Sequence, residues 1–129
     1  LRAGLSAAAY CDNHMQAIAA SHLTKDDVAI GISHSGSSID VVEALRLSKE
    51  AGATTICITN FGKSPIIKQS DIVLYTASEE TKYTIFGMYS RIAQLAIIDT
   101  IYTYIVLHKS EEALKAIRAT EMALQNKKY

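Results

Sequence analysis

Residues 27–44 read DVAIGISHSGSSIDVVEA, and the order of residue types in that stretch leaves few folds open. Val28-Ala29-Ile30-Gly31-Ile32 is a short, almost wholly apolar run, the pattern of a strand buried on both faces of a parallel sheet. It gives way to Ser33-His34-Ser35-Gly36-Ser37-Ser38, six residues with four hydroxyls and one glycine. Ile39, Val42, Leu45 and Leu47 then take up a helical spacing. Ser37 or Ser38 is placed to cap that helix, and Asp40 falls in its first turn, where the dipole favours an acid. Strand, hydroxyl-rich loop and helix start, in that order, make an anion cradle. Amides of a first helical turn have no intrahelical acceptor, and serine hydroxyls add donors. The same residues would also serve an ordinary capped turn between a strand and a helix.

Several phosphate and nucleophile loops are excluded by single residues. Gly31 to Ser38 has the glycine spacing of a P-loop, but Ser37 stands where that motif needs lysine, so a nucleoside triphosphate would be poorly held. Gly31-Ile32-Ser33-His34-Ser35 lacks the final glycine of a nucleophile elbow. No dinucleotide fingerprint is present. What remains is a site for one phosphoryl group on a small molecule.

The rest of the chain supports a parallel α/β fold. Ser6 to Cys11 reads as a weak strand, followed by a short helix that Asp12 or Asn13 can cap. Thr54 to Thr59 is a β-branched strand. Pro65 suits the first turn of a short helix capped by Ser64, and Ile72 to Tyr75 is a last strand. Strands alternating with helices imply right-handed crossovers, with ligands bound beyond the strands' carboxyl ends. From Ile85 to Leu107 apolar residues occupy nearly every helical face, yet Gln94, Asp99 and Thr100 shorten the dense part below a membrane span. Such a helix is expected to pack on the sheet and against a second subunit, with Tyr83, Tyr89, Tyr102 and Tyr104 in core or subunit contacts. Ser110 is placed to cap a final helix.

Thirteen basic and thirteen acidic residues among 129 cancel, and a chain that grips nucleic acid by its phosphates carries a basic surplus. Cys11 and Cys57 lie in apolar runs and are expected buried and reduced. His14, His22 and His108 show no metal-ligand spacing, so no metal is expected.

Ile32-Ser33-His34-Ser35-Gly36-Ser37-Ser38 resembles the serine-rich signature of sugar isomerase (SIS) domains, and Ser90-Arg91-Ile92-Ala93-Gln94-Leu95 with Ile98-Asp99 is similar to RpiR-type bacterial transcription regulators. The resemblance implies a flavodoxin-like, three-layer α/β/α domain over residues 1–129 with long C-terminal helices. The family's first strand and its serine-bearing loop are not among these residues, so the chain by itself is expected to bind ligand weakly or not at all. It implies a phosphorylated sugar held by Ser33, Ser35 and Ser38, with Gly36 allowing close approach and Ser37 offering its amide. His34 would donate to phosphate or sugar, Thr59 and Asn60 would face the pocket, and Glu79 or Glu80 would stand near the sugar.

The function implied is effector sensing and dimerisation in a sugar-responsive regulator. No cofactor is expected. Oligomers, dimers or tetramers, would form through the 83–107 helix. DNA would be contacted only through a helix-turn-helix domain outside these residues, in the cytoplasm. The alternative is a phosphosugar isomerase with Glu80 as general base, a carboxylate moving a proton between neighbouring carbons. A purely structural oligomerisation domain is the third reading. Thr84 replaces an arginine frequent in the regulators.

Overall fold

The computed structural model describes residues 1–78 and 88–127. The chain divides into two compact units, Tyr10–Leu95 and a second made of Leu1–Ala9 with Ala96–Tyr129.

In the first unit, α1 (Asn13–Ser21) leads to β1 (Val28–Ile32), α2 (Ile39–Glu50), β2 (Thr54–Asn60), α3 (Pro65–Lys68), β3 (Ile72–Thr76) and the opening turns of α4 (Met88–His108). The strands are parallel in the order β1-β2-β3, with Ile30 beside Ile56 and Ile58 beside Leu74. Asp12 starts α1 by accepting from the Met15 amide at 3.0 Å, as its position before the apolar period requires.

The core forms where α2 and α3 lie on one sheet face: Leu45, Cys57 and Ile66 are buried, with Ala29, Val41 and Val73 against them. Burying a leucine of this kind contributes about 1.5–3 kcal/mol. Gly31 lets α2 approach, since a Cβ there would stand 2.6 Å from Leu45 Cδ1.

At the strands' other end, Asp71 ties three elements together. Its Oδ2 accepts from the Thr55 amide and hydroxyl, each at 2.9 Å, and its Oδ1 pairs with Lys49 Nζ at 2.8 Å. The Lys49 contact first, then the two Thr55 bonds, hold this carboxyl down at about 2. Arg46 forks onto Glu43 and Glu50 along the exposed side of α2.

Four expectations are corrected. Ser6–Cys11 forms no strand; its alanine-rich residues are exposed and find no partner backbone among the described residues. β1 is not buried on both faces. Side chains alternate, so with Gly31 under α2 the residues Val28, Ile30 and Ile32 point to the opposite face, where they stay 43–56% exposed because β1 is an edge strand. Cys57 is buried but Cys11 is exposed, both as free thiols. The tyrosines of α4 are not core residues: Tyr89, Tyr102 and Tyr104 are exposed. Tyr83 lies outside the described residues.

In the second unit, α5 (Ser110–Leu124) is followed by a 3-10 turn at Gln125–Lys127. Its N-cap is Lys109 rather than Ser110, because the Lys109 amide still closes the last turn of α4 on the Ile105 carbonyl. Ala113 is fully buried, and Gly4 lies tight against Ala116. Leu114 is half exposed.

Along α4 the apolar residues face every direction, and only Ser90 and Gln94 are buried among its described residues. At 21 residues it is long and apolar enough to cross a membrane by length and composition, contrary to the shorter span expected from its polar interruptions.

A carboxyl held below its ordinary value of 3.8 stabilises the fold above that pH, and the gain disappears as pH falls from there toward about 2. Asp71→Asn is therefore expected to lower the melting temperature at neutral pH and to flatten its decline across that acid window. Thermal melts followed by circular dichroism at stepped pH test this. Parallel curves for the two proteins would contradict it.

Candidate functional site

The loop Ser33–Ser38 leaves β1 at its carboxyl end and runs into α2, and the neighbouring strand and helix hold it from beneath. The Ser33 amide donates to the Ile58 carbonyl at 3.1 Å. The His34 carbonyl accepts from the Asn60 amide at 3.0 Å and from Thr59 Oγ1 at 3.3 Å. The Gly36 carbonyl accepts from the Ile66 amide at 3.0 Å, which joins the loop to the first turn of α3. With its carbonyls drawn inward, the loop turns other amides outward. Those of Ser35 and Ser38, and of Ile39, Asp40 and Val41 in the first turn of α2, donate to no group among the described residues. Bare amides converging at a helix start attract an anion, and the dipole adds to the pull.

The serines divide their work. Ser33 is buried, and its Oγ lies 3.1 Å from Ser38 Oγ. Ser38 holds the N-cap position of α2, but its hydroxyl makes no capping bond and turns to Ser33. Ser35 and Ser37 are exposed and bond each other: Ser35 Oγ accepts from the Ser37 amide at 3.2 Å, and the Ser37 hydroxyl donates to the Ser35 carbonyl at 3.3 Å. Ser37 therefore keeps its amide within the loop in this conformation. His34 is half-buried.

Gly36 has φ +62°, a left-handed conformation suited to glycine. A Cβ there would collide with Ser64 Oγ and stand 2.8 Å from Thr59 Oγ1. Thr59 is fully buried. The Asn60 amide clasps the chain after β3, its Nδ2 donating to the Ser78 carbonyl at 3.0 Å and its Oδ1 accepting from the Ser78 amide at 3.1 Å. Both residues thus border the loop with their polar groups engaged in holding the rim. Glu79 and Glu80 lie outside the described residues, as does Thr84.

Ser64 also borders the loop, which its place in the sequence does not reveal. Its place before Pro65 marks a helix cap, which it occupies without a side-chain capping bond. Its buried Oγ has no hydrogen-bond partner among the described residues and faces Gly36 instead. Only the packing of α3 against the loop brings these two residues together. Among the described residues no group of His, Cys, Asp and Glu side chains has the geometry of a metal site.

A strand, a serine loop and bare helix amides at the carboxyl rim of a parallel sheet make an α/β domain whose rim is suited to a small anion. The model of the SIS domain matches residues 5–104, and the chain belongs to that family. An HTH-type transcriptional regulator of Caldanaerobacter subterraneus is 41% identical over 127 residues, covering 98% of this chain and 45% of its own length. The B. subtilis regulator YbbH is 35% identical over the same share of this chain. The chain thus spans under half the length of these relatives. Among solved structures, Vibrio vulnificus NanR in complex with ManNAc-6P superposes with TM-score 0.86 at 24% identity, over 95% of this chain and 46% of NanR. The sugar isomerase domain of an RpiR factor from Sphaerobacter thermophilus gives 0.71 at 23%, over 92% and 62%. These likenesses bear out the parallel α/β fold and the family expected of the sequence.

Gly36→Ala is expected to destabilise the domain by about 1–3 kcal/mol, the usual cost of a strained left-handed residue. Ser64→Gly should recover part of that loss by removing the colliding atoms. Denaturant unfolding of the two single variants and the double variant measures the coupling. Additive losses would show that the two residues do not meet.

Proposed function

We propose that this chain is the effector-sensing domain of a sugar-responsive bacterial transcription regulator, and that it takes the phosphoryl group of a phosphorylated sugar on the Ser33–Ser38 loop. One observation carries the reading: the amides of Ser35, Ser38, Ile39, Asp40 and Val41, without an acceptor among the described residues, lie together with the exposed Ser35, Ser37 and Ser38. A phosphate dianion accepts from such donors without a lysine. Charge-assisted bonds of this kind are roughly twice as strong as neutral ones. Ser35 and Ser38 would turn their hydroxyls onto the ligand, His34 would reach the phosphate or the sugar, and Thr59 and Asn60 would position the rim. Glu80 is assigned to the sugar by family resemblance.

The names of the relatives support the regulatory part, since they are HTH-type transcriptional regulators. The ManNAc-6P bound by NanR supports an amino-sugar or related phosphate as the effector class. In this reading DNA is contacted by a helix-turn-helix domain outside these residues, and the chain works in the cytoplasm without turnover or cofactor. The exposed apolar residues of α4, among them Ile92, Leu95 and Leu107, suit burial against a second subunit.

Titration with phosphosugars, followed through the backbone amide resonances of residues 33–41, tests the site. Saturable shifts confined to this loop are expected, with dissociation constants in the millimolar range, about −4 kcal/mol. Ser35→Ala and Ser38→Ala should each weaken binding several-fold. No perturbation of the loop by any pentose or hexose phosphate would overturn the assignment. Interconversion of aldose and ketose phosphates that is lost in Glu80→Gln would favour the isomerase instead.

A further inference from the structure

The turn that joins β2 to α3, residues 61–64, lies beside the serine loop and is fixed at both of its ends. On one side the Phe61 amide donates to the Thr76 carbonyl at 2.8 Å, and the Phe61 ring stands edge-on to Tyr75 with centroids 5.5 Å apart. On the other side Ser64 packs against Gly36, and the Ile66 amide donates to the Gly36 carbonyl at 3.0 Å. Between these anchors the chain turns at Gly62, whose φ of +145° favours glycine. Lys63 completes the turn. Its Cα is one peptide unit, about 3.8 Å, from that of Ser64, so its backbone is held next to the serine loop. Its side chain is exposed and makes no hydrogen bond or ion pair among the described residues.

Positive charge is what the serine loop lacks. Its amides and hydroxyls are neutral donors, and Asp40 in the first turn of α2 adds an exposed carboxylate. A phosphoryl group brings a further charge of about −1.5 to −2 at neutral pH. Among the described residues of the loops that leave the strands' carboxyl ends (33–38, 61–64 and 77–78), Lys63 is the only lysine or arginine. Two other cations of this unit are engaged elsewhere, Lys49 by Asp71 and Arg46 by Glu43 and Glu50. A lysine is a compact charge with three donors on a flexible stem, so it meets an anion on the adjoining loop without any movement of the backbone. We infer, resting on the phosphosugar reading above, that Lys63 is a phosphoryl-contacting residue. It supplies from the neighbouring turn the charge that a P-loop carries within its own sequence. Because the contact is to the phosphoryl group, Lys63 sets the strength of binding and its dependence on salt, and leaves the choice of sugar to other residues.

Titration of the 129-residue chain with inorganic phosphate and with glucose 6-phosphate, read from the amide resonances of residues 33–41, tests the inference. Lys63→Met keeps most of the stem and removes the charge. It is expected to raise the dissociation constant about fivefold for both probes, the upper range for an exposed charge pair, and to flatten the dependence on salt. Lys63→Arg should stay within about twofold of the unaltered chain. Lys25→Met makes the same change of net charge in the connection before β1, at the opposite end of the sheet, and should leave binding as it was. Resonances away from the loop report whether each variant keeps the fold. Binding by Lys63→Met within twofold of the unaltered chain would overturn the inference while leaving the serine loop as the phosphate site. Equal losses in Lys63→Met and Lys25→Met would overturn it too, since net charge alone would then account for them. Absence of loop shifts in the unaltered chain with either probe would remove this inference and the reading on which it rests together.

Discussion

The functional end of this protein depends on where three carbonyls point. Ile58, His34 and Gly36 each accept a hydrogen bond that ties the serine loop to the structure beside it: Ile58 from the Ser33 amide, His34 from Asn60 and Thr59, Gly36 from Ile66. A backbone whose acceptors are satisfied from below presents its donors above. The convergence of bare amides at the start of α2 follows from that, and so does the need for a left-handed residue at Gly36, where the chain must turn between Thr59 and Ser64. Neutral amides and hydroxyls, with no lysine in the loop, suit a ligand that brings its own charge.

The opposite end of the sheet is held differently. Asp71 joins Lys49 at the end of α2, Thr55 in β2 and the start of β3 through one carboxylate. The anion is satisfied by internal partners there, which makes that end a structural tie, whereas at the serine rim the amides of Ser35, Ser38, Ile39, Asp40 and Val41 have no acceptor among the described residues. The two ends of one parallel sheet thus differ, one closed by an ion pair and hydrogen bonds and the other left open at the strands' carboxyl ends, where ligands of such sheets sit.

Apolar surface left in water is the third theme. The strip formed by Val28, Ile30 and Ile32, the length of α4, and the α1–α2 groove all expose large aliphatic side chains. Scattered apolar residues on a surface are ordinary, but contiguous ones mark contacts with other polypeptide.

The amino-acid sequence determined the elements. Short apolar runs with β-branched residues became β1, β2 and β3 at nearly the expected bounds, since alternation and turn residues act locally. The SIS family was legible for the same reason, because its loop motif is contiguous. What the sequence could not determine were relations between distant residues. Ser38 had the composition of a cap and turned to Ser33 instead, Ser64 looked like a cap and faced Gly36, and Ser6–Cys11 looked like a weak strand and found no partner. Each outcome depends on which backbone or side chain arrives alongside, and that is set by packing across the sheet, beyond the reach of local propensity.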